Sequence, residues 1–123
     1  MNIGLSFTAT TTVNQNNTAK ALGSGDMDVF ATPAMVALME NAAMNVVASH
    51  LEAGQTTVGT QITTSHIKAS ALGATISATA TLTAVDGRSL TFAITARECD
   101  KVIGEGTHTR FIVDRERFLA KLR

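Results

Sequence analysis

Glu40 sits where a charged group is out of place. It lies inside the apolar run Phe30 to Ala48. On a helical wheel of about 100° per residue, Val36, Ala37, Ala43, Met44 and Val47 fall within roughly 60° of it. The polar residues Asn41 and Asn45 fall about 100–180° away. A carboxylate on an apolar face is paired, neutral or functional, because burying it bare is costly. Burial would suit it to act as a general base or a nucleophile. The plainer alternative is a buried Glu that only hydrogen-bonds to backbone.

His66 is the second candidate. It shares parity with Val58, Thr60, Ile62 and Thr64, which as a strand directs it toward the helix. An inward His is either a satisfied core residue or a proton-transfer group, and a Glu in the same small core strengthens the second reading. Thr32 precedes Pro33, so its simplest role is an N-cap. A helix N-terminus also offers free N–H groups to a thioester oxygen or a phosphate. Other polar residues carry less. Cys99 precedes a turn with no His beside it, His50 suits the helix C-terminal dipole, and His108 and Arg110 read as strand-end residues. The glycines of Gly104-Glu105-Gly106 lack any phosphate-loop spacing and suggest close approach of the helix backbone. Glu40 and His66 have no metal-ligand spacing, so no metal is expected.

The elements that position these residues follow from pattern. Ile3 to Val13 alternates as a half-buried strand. Asn14 to Asp28 is polar and Gly-rich and reads as a loop, with at most one turn of helix. Pro33 to His50 reads as a helix, with Gly54 as its stop signal. Period two then takes over. Ile76, Ala78, Ala80, Leu82 and Ala84 form one inward face, with Thr75, Ser77, Thr79, Thr81 and Thr83 opposite. Asp86-Gly87 marks a hairpin, Leu90, Phe92, Ile94 and Ala96 form the next inward face, and a turn near Asp100 leads into Val102 to Val113. Asp114 to Leu122 reads as a short charged helix. One long helix must therefore be wrapped by a mainly antiparallel sheet.

Composition narrows the function. With 123 residues the chain has room for one domain, 1–123. Ten basic and ten acidic residues give no net charge, and there is no Trp or Tyr. This argues against nucleic acid or an anionic membrane as partner. A single Cys excludes an internal disulfide. The start, Met1 to Thr8, has neither the basic residues nor the apolar run of an export signal. A reducing, cytoplasmic location is expected.

The segment Val29-Phe30-Ala31-Thr32-Pro33-Ala34-Met35-Val36-Ala37-Leu38-Met39-Glu40 resembles the central-helix motif of hotdog-fold thioesterases of the fluoroacetyl-CoA thioesterase-like family. Thr57-Val58-Gly59-Thr60 with Thr64-Ser65-His66 resembles that family's next strand, and Ile103 to Arg110 its last. The likeness runs from about Ile3 to Leu122. It departs in the loop before Val29, where the fluoroacetyl enzyme carries an aromatic lid and this chain has Gly23-Ser24-Gly25-Asp26-Met27-Asp28. The resemblance implies an α+β hotdog fold, with a five-stranded sheet around one helix. It implies a catalytic set of Thr32, Glu40 and His66, with Gly59, His66 and Arg110 meeting the acyl group or the CoA arm. The implied activity is hydrolysis of a small acyl-CoA, needing no cofactor, in a homodimer. A non-catalytic acyl-CoA sensor on the same fold is the alternative.

Overall fold

The computed structural model describes residues 1–123. Strand β1 (Ser6–Thr12) is followed by one turn of helix, α1 (Ala19–Leu22), and by the long helix α2 (Thr32–Val47). A 3-10 turn at Ala48–His50 extends α2, and four strands follow: β2 (Gln55–His66), β3 (Thr75–Asp86), β4 (Ser89–Glu98) and β5 (Lys101–Asp114). A final helix, α3 (Arg115–Ala120), is capped by the Asp114 carboxylate, which accepts from Arg117 N–H at 3.0 Å. The strands form one antiparallel five-stranded sheet in the order β1-β3-β4-β5-β2, so β1 and β2 are its edges.

Helix α2 lies across the inner face of this sheet through Met35, Met39, Ala42, Ala43, Val46 and Val47. The facing sheet is small-residue rich, with Ala78, Ala80 and Ala96 fully buried, which lets the helix approach closely. At Gly104 the approach is tightest. A Cβ there would stand 2.7 Å from Met35 Sδ and 2.7 Å from the Ser65 carbonyl. Gly106 has a different reason to be glycine: its added Cβ would meet Thr63 and Thr64 of the neighbouring strand, not the helix.

Two expected strand faces are broken by bulges. The β2–β5 register shifts between Gly59 and Gln61, so Thr57 and Gly59 face α2 before the shift, and Ile62, Thr64 and His66 face it after. Val58 therefore does not share a face with His66. The β3–β4 register shifts between Leu82 and Ala84, and Ala84 is exposed instead of inward.

Candidate active site

Thr32 is the first helical residue of α2 and not its cap. Ala31 takes the cap position, with extended backbone and no side-chain cap bond. The Thr32 hydroxyl instead bonds His66 Nδ1 at 2.8 Å, joining the N-terminus of α2 to the end of β2. His66 also stands edge-on to Phe30, with ring centroids 6.4 Å apart. Its Nε2 is buried and has no hydrogen-bond partner. Burial lowers the His66 pKa from its ordinary value, and the Lys68 backbone pulls weakly the other way. A cavity of about 250 Å³ opens here, lined among others by Ser24, Phe30, Thr32, His66 and Lys68. The uncapped helix end directs unpaired backbone N–H groups and the positive end of its dipole to this region.

Glu40 occupies a second cluster, eight residues further along α2, or about 12 Å along the axis. Its side chain is 41% exposed and lies 3.9 Å from Arg110 Nη1, an ion pair without a direct hydrogen bond. The expectation of a buried carboxylate thus fails for the single chain. The sheet ends at β2, so Glu40 sits at the margin of the covered stripe, and Ala37 and Met44 beside it are exposed. Arg110 is buried and held firmly: its Nε–H donates to Thr57 Oγ1 at 2.8 Å and its Nη2–H to the Thr57 carbonyl at 2.9 Å. Burial lowers the Arg110 pKa and Glu40 raises it. Gly59 forms the floor between these groups. A Cβ on it would lie 3.0 Å from Glu40 Oε2, 3.1 Å from His108 Cε1 and 3.4 Å from Arg110 Nη1.

Within one chain the candidate residues therefore form two groups. Thr32 meets His66, and Glu40 meets Gly59 and Arg110. No group of three or more His, Cys, Asp or Glu side chains is placed to hold a metal ion.

The profile of fluoroacetyl-CoA-specific thioesterases matches residues 13–116, which include all five candidate residues. The fluoroacetyl-CoA thioesterase of Streptantibioticus cattleyicolor is 42% identical over 96 residues, covering 78% of this chain and 69% of that protein. The chain belongs to the fluoroacetyl-CoA-specific thioesterase family. A crystal structure of the fluoroacetyl-CoA thioesterase FlK superposes with a TM-score of 0.93 at 36% identity, covering 100% of this chain and 96% of that one. A thioesterase superfamily member from Thermus thermophilus shares the fold at 23% identity, with a TM-score of 0.91 over 99% of this chain and 90% of its own. Hotdog architecture is thereby established for this family member.

Sequence reasoning undervalued two residues of the Glu40 cluster. Thr57 counted only as part of a strand motif and was given no role, although it fixes Arg110 through both side chain and backbone. His108 was read as a strand-end residue, yet it is 1% exposed and bonds Arg110. Its shared parity with Gly106 and Arg110 was the available signal.

Proposed function

We propose that this protein hydrolyses a small acyl-CoA thioester to the free acid and CoA, with Thr32, Glu40 and His66 as its catalytic residues. The observation that carries this reading is the family match across residues 13–116, which contains both side-chain clusters. A small acyl group is supported by solved structures of FlK mutants in complex with acetyl-CoA and with fluoroacetate and CoA. A thioester brings its own good leaving group, so the site must supply an oxygen nucleophile and stabilise the oxyanion. Glu40 attacks the carbonyl carbon or removes a proton from attacking water. The N-terminus of α2 and Thr32 receive the developing oxyanion. As the C–S bond breaks, the CoA sulfur leaves with its electron pair. In the water route the proton that Glu40 removes passes through neutral His66 to that sulfur; in the anhydride route water then hydrolyses the anhydride and supplies that proton. No cofactor enters this scheme, and Gly59 and Arg110 hold the acyl end.

The close Thr32–His66 pair invites a reading in which the threonine hydroxyl is the nucleophile. That arrangement needs a third group orienting the base, and no carboxylate bonds His66 Nε2. Glu40 is therefore the better source of the activated oxygen. Single turnover in ¹⁸O-labelled water tests the covalent route: label in the Glu40 carboxylate establishes an anhydride, and its absence counts against one.

The working unit in this proposal is a homodimer in which each site draws on two chains. Strand β2 is an open edge, and α2 runs so that Thr32 lies by His66 and Glu40 by Gly59. Antiparallel pairing of two β2 edges about a two-fold axis between Ile62 and Thr63 sets His66 opposite the partner's Gly59. Thr32 and His66 of one chain then face the partner's Glu40 and Arg110. No helix is long and apolar enough to cross a membrane, and the proposed location is the cytoplasm.

Release of CoA thiol across a panel of short acyl-CoAs tests the activity, and no release from any member would favour the sensor reading. Mixed dimers of Thr32→Ala and Glu40→Gln chains test the shared site. Subunit exchange restores one intact site if the two residues come from different chains, and none if they come from the same chain.

A further inference from the structure

Arginine has five N–H donors in one plane, and three of those of Arg110 are committed within the protein. Two go to Thr57, and the third, on Nη1, goes to His108 Nε2 at 3.2 Å. One hydrogen remains on each terminal nitrogen. The one on Nη1 belongs to the atom that faces Glu40 Oε2 at 3.9 Å.

An imidazole can accept from arginine only when its ring is neutral and Nε2 carries no hydrogen. The other side of the ring enforces this. His108 Nδ1 stands 2.7 Å from the Gln61 carbonyl, which only accepts, so the hydrogen is on Nδ1 and Nε2 is bare. The ring is 1% exposed and tilted against Phe92, with ring centroids 6.4 Å apart. Burial, foremost, and Arg110 hold the ring neutral, against the opposing pull of Gln61 and Glu40. The β2 bulge supplies the link, because Gln61 is the residue at which the β2–β5 register shifts.

We infer that His108 is a positioning residue: as a neutral acceptor it fixes Arg110 Nη1 and thereby sets the free N–H presented to Glu40 and the acyl group. This rests on the proposal that Arg110 and Glu40 belong to the thioesterase site.

Two substitutions separate the two sides of the ring. His108→Asn keeps an amide near Nδ1, retaining a donor to Gln61 and removing the acceptor for Arg110. His108→Gln places a carbonyl near Nε2, retaining the acceptor and losing the donor to Gln61. The expected result is a fall in kcat/KM of about tenfold to 100-fold for the Asn variant, with the Gln variant within about fivefold of wild type. A residue that only clamps β2 to β5 would give the opposite order. The Arg110 Nη–H signals in ¹⁵N NMR, assigned by their loss in Arg110→Lys, should exchange faster with solvent in the Asn variant only. Circular dichroism checks that both variants fold. The inference is overturned if the Asn variant matches wild type, or if the folded Gln variant is as impaired as the Asn variant. If wild type releases no thiol from any acyl-CoA, the functional reading fails by itself. The NMR comparison then decides the role of His108, and unchanged exchange in the Asn variant overturns it.

Discussion

Replacing Gly59 by Ala should separate activity from stability. The added methyl would lie 3.0 Å from Glu40 Oε2, and ordinary contact begins near 3.4 Å, so the oxygen must move by a few tenths of an ångström. The His108 ring, at 3.1 Å, is held by its 2.7 Å bond to Gln61 and yields less. The carboxylate ends a flexible side chain that is 41% exposed, so it takes up the displacement. A misplacement of about 1 Å costs about 100-fold in rate, and roughly half that distance should cost about tenfold, or ~1.4 kcal/mol of transition-state stabilisation. Stability should respond differently. Gly59 has no positive φ, and Ala in a compatible backbone gains about 0.4–1 kcal/mol through the unfolded chain. That gain offsets the residual crowding, and the unfolding free energy should stay within about 1 kcal/mol of wild type. Thiol-release kinetics and urea unfolding on the same preparation measure both quantities. A kcat/KM within about twofold of wild type would refute the claim that the position of Oε2 governs the reaction. A stability loss above about 2 kcal/mol would show that the methyl is resisted by rigid structure and not by the carboxylate.

Gly104→Ala is the structural counterpart: with Met35 Sδ and the Ser65 carbonyl each 2.7 Å from the new Cβ, it should lower stability by about 1–3 kcal/mol. An unchanged urea midpoint would contradict the seating of α2 on β5. Glu40→Gln should lower kcat more than about tenfold, at least ~1.4 kcal/mol, while leaving the circular dichroism spectrum and acetyl-CoA binding intact. A variant keeping more than about a tenth of wild-type kcat would remove Glu40 from the mechanism. The pKa values of His66 and His108 are lowered from 6.5, each chiefly by burial, so below that value the unfolded chain binds protons that the folded chain does not. Their contribution to stability is complete above about pH 6.5 and is lost as pH falls through the native values, at no more than about 1.4 kcal/mol per pH unit for each group. Urea unfolding across this range checks the sign, and stability that rises on acidification through it would contradict neutral native rings.

Legibility in the sequence followed the regularity of the backbone. The inner faces of β3 and β4 were readable because Ile76 to Leu82 and Leu90 to Ala96 alternate without interruption. Strand β2 was misread at Val58 because a bulge moves the pleat by one residue; Gly59, an isolated glycine inside the strand, was the available signal for it. Thr32 reads as a cap from the proline after it, yet it is the first helical residue and its hydroxyl finds a partner 34 positions away, which no local pattern contains. Glu40, His66 and Thr32 stood out by residue type and position alone, whereas Gly59 and Arg110 were singled out only through the family resemblance, since they acquire meaning from a contact across α2, β2 and β5.

Glu40 teaches the most. The wheel placed it among Val36, Ala37, Met44 and Val47 and inferred burial, but in the single chain Ala37 and Met44 are exposed and Glu40 is half open. Apolar periodicity records which face the chain avoids exposing, without saying whether its own sheet or a second chain covers it. An apolar helix margin left bare, a carboxylate on that margin, an open β2 edge beside it, and a Thr32–His66 pair about 12 Å away all lie on the side where the proposed two-fold partner would sit. In the proposed dimer the wheel describes the assembly, and its error for one chain becomes an argument for the second.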